Sequence, residues 1–235
     1  MNSLILKNSE GIITDQKIIA HLHETLKAQI GDVFKCTVLG LGLSRGTIDS
    51  ISSTECRLSL TPITKAQPQW FNLVVGASRP QTSKKVLEHA TTFGAKSIHF
   101  FKAALSEKSY LDSKVLELYE AEEYLLAGLS QSAIYDELPI VKVDKYNPAD
   151  KYKEQVQKYI LDLNGKENFL QIIPSIDFNT PITLAIGPER GFISEDIEHF
   201  HKAGFKSVKI SSSILRVEHA IYSAVSQLEL IRGRY

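Results

Sequence analysis

The chain has 235 residues, and its 27 Lys and Arg are balanced by 27 Asp and Glu. A formal net charge of zero excludes capture of nucleic acid by bulk positive charge, though it leaves room for a local basic groove. Hydrophobic residues at 43% and charged residues at 23% are the balance of a folded globular protein and exclude a disordered one. No apolar run reaches the length of a bilayer span, and the N-terminus lacks the apolar core and cleavage site of a secretory signal. The expected location is therefore the cytoplasm, with no membrane contact. Cys36 and Cys56, the two cysteines, match no zinc or redox spacing and read as buried reduced thiols.

Residues 1–66 read as short strands with one helix or turn. Leu4-Ile-Leu6, Val33 to Val38, Thr47 to Ile51 and Cys56 to Leu60 are the strands, and Leu22 and Leu26 mark one helical face. Several short strands separated by turns imply a small barrel. Gly40-Leu-Gly42-Leu-Ser-Arg-Gly46 reads as a hairpin loop: as a nucleotide-binding loop its third glycine comes one place late, and strand follows it. His21 and His23 offer two metal ligands with no third nearby, so no metal is expected.

A linker, Thr61 to Gln69, is bracketed by Pro62 and Pro68, and the pattern changes after it to strand–helix alternation. Asn72 to Gly76 reads as a buried strand, Ser83 as the cap of a helix closed by Gly94, and Ser97 to Phe101 as the next strand. A long helix is expected over Asp112 to Ala127 and a strand over Leu138 to Val143. Asn147-Pro148 starts an expected helix through about Leu163, ended by Asn164-Gly165, and Phe169 to Ile173 is an expected strand. Such alternation implies a parallel sheet covered on both faces.

Two stretches then share one design. Leu184-Ala-Ile186 runs as a strand into Gly187-Pro188, with Ser194 as an N-cap, Glu195 and Asp196 in the first helical turn and Gly204 as the stop. Phe205 to Ile210 alternates as a strand, Ser211 to Ser213 breaks it, and Ile214 to Ala220 opens the last helix. In an open α/β sheet ligands collect beyond the carboxyl ends of the strands. These two loops are expected to face one pocket.

Ile186-Gly-Pro-Glu-Arg-Gly-Phe192 resembles the IGPEGGF loop, and Ile214-Leu-Arg-Val-Glu-His-Ala220 the RILRxETA segment, of the 16S rRNA uridine-N3 methyltransferases of the SPOUT superfamily. Glu107-Lys-Ser-Tyr110 and Gly31-Asp32 resemble further segments of that family. The resemblance implies an α/β protein: a PUA-like β-barrel domain that docks RNA at residues 1–66, then a SPOUT-type domain with a C-terminal trefoil knot at 70–235. It implies S-adenosylmethionine as cofactor, 16S rRNA of the small ribosomal subunit as substrate, and a homodimer. Departures are Arg190 for a usual Gly, Ile210-Ser-Ser-Ser213 for Leu-Gly-x-Arg, His219 for Thr, and Ser130-Gln-Ser-Ala133 for Glu-Gln-x-Arg. An Arg expected shortly before Glu107 is also missing.

By this resemblance Leu184, Gly187, Pro188, Glu189, Gly191, Ile210, Ser211, Ile214 and Leu215 would hold the cofactor, largely through backbone groups. Arg216 would stabilise the charge on a deprotonated uracil, and Glu218 would orient Arg216 or accept a proton. Spacing alone reads both as solvated helix-end charges. Lys27, Arg45, Arg79, Lys84, Lys85 and Lys108, with Lys7, Lys17 and Lys35, are the candidate RNA contacts. A methyltransferase acting on another RNA position, and an RNA-binding descendant without cofactor, stay open as alternatives.

Overall fold

The computed structural model describes residues 2–233. The polypeptide divides into two compact units, Met1–Pro68 with Leu129–Leu138, and Gln69–Gly128 with Pro139–Tyr235.

The first unit is built on a five-stranded sheet of β1 (Leu4–Leu6), β2 (Ile12–Ile13), β3 (Val33–Val38), β4 (Gly42–Ile51) and β5 (Cys56–Leu60), in the order β1-β3-β4-β5-β2. Its two edge strands are consecutive in the chain, so the short connection between Leu6 and Ile12 curls the sheet into a nearly closed barrel. The strands alternate: Ser44, Gly46 and Ile48 of β4 face inward while Arg45 and Asp49 face out. Inside lie Leu4, Leu6, Ile13, Ile19, Leu22, Cys36, Val38, Ile48, Cys56 and Leu58. Both cysteines are free and buried, and burial pushes the Cys36 thiol up to about 11. The helix here is earlier than expected, α1 (Gln16–Ala20), running into a wider turn over His21–Thr25. Asp15 caps it, its carboxylate accepting from the backbone N–H of Lys17 and Ile18. The hairpin turn is narrower than expected, because Gly42 to Gly46 already pair with β3. Ser130 belongs to this unit: its hydroxyl donates to the Ser3 carbonyl at 2.6 Å, and its carbonyl accepts from the Ser3 backbone N–H.

The second unit holds a six-stranded sheet, all parallel: β6 (Phe71–Gly76), β7 (Ala95–Phe101), β8 (Ile140–Asp144), β9 (Gln157–Leu161), β10 (Ile182–Ile186) and β11 (Lys206–Val208). The order is β11-β9-β10-β6-β7-β8, so the winding reverses between β6 and β10. Its helices are α2 (Pro80–Thr92), α3 (Leu118–Ser132), whose residues from Leu129 on belong to the first unit, α4 (Phe169–Ile172), α5 (Ser194–Lys202) and α6 (Val217–Arg232). Every residue of β6 and β10 is buried, as strands covered on both faces must be.

Five expectations are corrected. Ser83 is not a cap: α2 starts at Pro80, and the buried Ser83 hydroxyl donates to the Ser78 carbonyl inside the first turns. Ser194 is the first residue of α5, not its cap. The long helix begins at Leu118, because two single 3₁₀ turns, Lys108–Tyr110 and Lys114–Leu116, occupy the segment before it. The helix expected after Pro148 stops after one 3₁₀ turn, Ala149–Tyr152, and the chain becomes β9, pairing with β10 on one side and β11 on the other. Phe169–Ile172 is a helical turn, not a strand. Asn168 Oδ1 accepts from the Gln171 N–H and Gln171 Oε1 from the Asn168 N–H, a reciprocal cap that closes the turn.

Candidate active site

The carboxyl ends of β9, β10 and β11 and the start of α6 enclose one cavity of about 400 Å³. Leu161 to Asn164 form the wall after β9, Ile186 to Phe192 the wall after β10, and Ile210, Ser211, Ser213, Ile214 and Leu215 the wall after β11. Ile197, Val217 and Ala220 close it from α5 and α6. This is the crevice position where open parallel sheets bind ligands. The two loops singled out in the sequence therefore meet on one space.

The turn after β10 is held by a close approach and by charge. A Cβ on Gly76, at the end of β6, would lie 2.5 Å from Pro188 Cδ, so only glycine lets this turn lie across the neighbouring strand. Gly191 has φ +74°, the left-handed conformation that closes the turn, and its N–H donates to the Pro188 carbonyl at 2.8 Å. Arg190 has no positive φ, so a side chain there strains no backbone. The Glu189 carboxylate points to the start of α2, accepting from the Arg79 backbone N–H at 2.9 Å and the Thr82 hydroxyl at 3.0 Å. A carboxylate at a helix N-terminus satisfies a free donor and favours the helix dipole. Asp196 ties the next segment, its Oδ2 accepting from the N–H of Ala104 at 3.3 Å and of Ile193 at 3.4 Å.

The loop after β11 is fastened at both ends. Gln227 Nε2 of α6 donates to the Ile210 carbonyl at 2.9 Å, and Ser211 Oγ accepts from the Ser213 N–H at 3.0 Å. In the wall after β9, Asp162 accepts from the Asn164 N–H at 2.9 Å and from the Ser207 hydroxyl at 3.1 Å.

All the residues expected to hold a cofactor line this cavity except Leu184, which is buried within β10 behind it. Arg216 lies between the lining residues Leu215 and Val217, is exposed, and forms no ion pair among the described residues. Glu218 is not in the lining. Its buried carboxylate accepts from Lys85 Nζ of α2 at 3.0 Å. Burial opposes its ionisation, but its own backbone N–H and Lys85 outweigh that and hold the carboxyl below the usual range. It joins α2 to α6. Leu161, Asp162 and Asn164 were missed, since the segment before Asn164 reads as a helix, and Ile197 and Gln227 were missed because they lie within α5 and α6, outside the two loops.

Of the expected RNA contacts, Lys27, Arg45, Arg79 and Lys108 are exposed, whereas Lys85 is spent on Glu218. Lys84 lies over the Tyr124 ring, 5.1 Å from its centre. Arg79 is held by the Tyr110 hydroxyl, which with Glu189 raises its pKa. Among the described residues no group of three or more His, Cys, Asp or Glu could hold a metal ion. No helix there is long and apolar enough to cross a membrane.

Comparison with known proteins agrees with this geometry. Ribosomal RNA small subunit methyltransferase E 1 of Borreliella burgdorferi is 28% identical over 235 residues, covering 95% of each chain. The corresponding methyltransferase E of Treponema pallidum is 30% identical over 162 residues, 66% of this chain and 59% of its own. The fold is shared with the crystal structure of a ribosomal RNA small subunit methyltransferase E from Neisseria gonorrhoeae bound to S-adenosyl methionine, with TM-score 0.76, 16% identity and 98% of each chain covered. A sequence model of the RNA methyltransferase domain matches residues 65–229, most of the chain including the whole cavity, and the chain belongs to that family.

Proposed function

We propose that this protein transfers a methyl group from S-adenosylmethionine to N3 of a uridine in 16S rRNA of the small ribosomal subunit. The observation that carries this reading is the single cavity cupped by the turns after β10 and β11. Its relatives named as small-subunit rRNA methyltransferases support the substrate.

The cavity suits the cofactor. Its volume falls in the range of small-molecule sites, and its walls are mostly apolar with a few placed polar groups. Ile186, Ile197, Ile210, Leu215 and Val217 would pack the adenosine portion, backbone groups of Gly187 to Gly191 and Ile210 to Leu215 would hydrogen-bond it, and Asp162 would face a cationic amino group. When bound, the cofactor supplies an electrophilic sulfonium methyl.

The chain's own residues do the rest. Uracil N3 carries a proton at neutral pH, so the site must favour its loss and hold the resulting imide charge. Arg216, exposed and flanked in sequence by two lining residues, would be the cation that does so. Glu218 acts as a positioning residue: through Lys85 it fixes the first turn of α6, and so the approach of Arg216. The catalytic unit is then the one containing β6 to β11, and the barrel-like unit docks RNA. A SPOUT-type trefoil knot at β9 to α6, a homodimer and a cytoplasmic location complete the reading. The three crowded chain segments around one cavity support the knot, and Tyr222 and Leu230, exposed on α6, support the dimer.

Two measurements test it. Calorimetry should show stoichiometric binding of S-adenosylmethionine, and mapping of methylated nucleotides in 16S rRNA from a deletion strain should show loss of one N3-methyluridine. Binding without that loss would move the activity to another RNA site; no binding would leave an RNA-binding protein only.

A further inference from the structure

Among the described residues, the walls of the cavity carry a single cation. Asp162, Glu189 and Arg190 are the charged residues that line it, and only Arg190 is positive. Both acids are engaged elsewhere. Glu189, although next to Arg190 in sequence, accepts from the Arg79 N–H and the Thr82 hydroxyl at the start of α2. Asp162 accepts from the Asn164 N–H with one oxygen and from the Ser207 hydroxyl with the other. Arg190 is exposed and forms no ion pair among the described residues, so its guanidinium lacks a charged partner. A guanidinium on the wall of a mostly apolar space is a recognition group for an oxyanion.

The sequence marks the same residue. Arg190 stands where the resembled loop has glycine, and Ser213 stands where the resembled Leu-Gly-x-Arg run has arginine. Both positions line this cavity, one on the wall after β10 and the other on the wall after β11. Relative to that pattern, a cation is kept on the cavity but changes walls. The turn accepts the side chain because residue 190 does not have positive φ.

We propose that Arg190 binds the α-carboxylate of S-adenosylmethionine, an inference that rests on the methyltransferase reading above. The amino-acid end of that molecule is a zwitterion, and an apolar cavity strips water from both of its charges. Asp162 keeps acceptor capacity beyond its two hydrogen bonds and suits the ammonium. Arg190 answers the carboxylate, its fork of donors matching two oxygens. The contact selects the intact amino-acid arm over adenosyl ligands that have lost its carboxylate.

Calorimetry on the full-length protein tests this by comparing S-adenosylmethionine with its decarboxylated analogue. The unaltered chain should bind S-adenosylmethionine about tenfold more tightly, the lower end for a charge-assisted contact because Arg190 is exposed. Arg190→Ala should abolish that preference by weakening S-adenosylmethionine alone; an affinity for the analogue that does not fall shows that the turn is intact. Arg190→Lys should keep part of the preference, since the charge stays and the fork is lost. The double variant Arg190→Gly/Ser213→Arg should regain it from the other wall; if it does not, the exchange of walls is overturned. Equal affinities in the unaltered chain would overturn the contact, and so would an Arg190→Ala that weakens both ligands alike. An Arg190→Ala that binds S-adenosylmethionine normally but small ribosomal subunits weakly would overturn it in favour of an RNA phosphate. Binding of neither ligand by the unaltered chain would sink the methyltransferase reading together with this inference, whereas failure of the inference alone leaves both ligands bound.

Discussion

Replacing Gly76 by Ala tests whether the cavity's geometry is set by the crossing of Pro188 over β6. The added Cβ would lie 2.5 Å from Pro188 Cδ and 2.7 Å from Pro188 N, where ordinary contact begins at 3.4 Å. One of those partners is backbone in a turn closed by Gly191, so a rotamer change cannot relieve the clash, and strand and turn must separate by about 1 Å. Over-packing of this kind costs about 1–3 kcal/mol. At about 2–4 °C per kcal/mol for a chain of this size, the melting midpoint should fall by about 2–12 °C. The turn carries Gly187, Pro188, Glu189 and Gly191 of the cavity wall, so the same displacement moves the proposed cofactor contacts. A misplacement near 1 Å can cost about a hundredfold in turnover, and S-adenosylmethionine affinity should fall at least about tenfold, or about 1.4 kcal/mol. Gly128→Ala is the control. Its Cβ would strike the Glu88 carbonyl, away from the cavity, so it should lower the midpoint without changing cofactor affinity measured well below it. Calorimetry and thermal melts on the two variants decide the matter. If Gly76→Ala binds S-adenosylmethionine like the unaltered chain, the turn is not positioned by this contact and the reasoning fails.

Other perturbations read different parts of the site. Glu189→Gln keeps the acceptor for Arg79 and Thr82 but removes the charge at the start of α2; cofactor affinity should fall severalfold, and an unchanged dissociation constant would show that the turn holds without it. Arg216→Ala should lower methylation of small subunits at least about a hundredfold while leaving S-adenosylmethionine binding intact, as expected for a group that meets charge only in the reacting state. Full methylation by that variant would remove Arg216 from the mechanism. His99 is buried, with Nε2 at 2.6 Å from Asp144 and Nδ1 at 2.9 Å from the Tyr152 hydroxyl. Burial outweighs the Asp144 carboxylate and holds its pKa below 6.5. The unfolded chain then binds the extra proton first, so this stability is complete above about pH 6.5 and is lost as pH falls toward the folded value. Melting midpoints of His99→Asn should therefore depend less on pH between 7.5 and 5.5 than those of the unaltered chain; equal slopes would refute the assignment.

What could be read from the sequence, and what could not, divides along physical lines. The turns after β10 and β11 were legible because each is punctuated locally, by Gly187-Pro188 after an apolar strand and by three consecutive serines after an alternating one. β9 was not. Asn147-Pro148 and Asn164-Gly165 imitate a helix start and stop, and Gln157-Lys-Tyr-Ile-Leu161 carries two polar residues that belong to no buried-strand pattern. The long-range partners decide: β10 and β11 flank the segment, Gln157 is bonded to Asp177 and Thr180, and the Lys158 ammonium donates to the Tyr152 carbonyl at 3.1 Å. Burying those polar groups is tolerable only because each finds an acceptor that periodicity does not reveal. The error propagated, since losing β9 also hid the Leu161 to Asn164 wall of the cavity. The role of Glu189 was hidden for the same reason. Its partners lie more than a hundred residues earlier, at the start of a helix whose sequence offers Ser83 as the cap although the helix begins at Pro80. Local chemistry thus marks where the cavity's turns are, while contacts between distant segments determine what each side chain of those turns is free to do. Arg216 and Glu218 make the point within a single segment. Two charges only two residues apart in the sequence have different surroundings in the fold, one buried and bound to Lys85 and the other exposed.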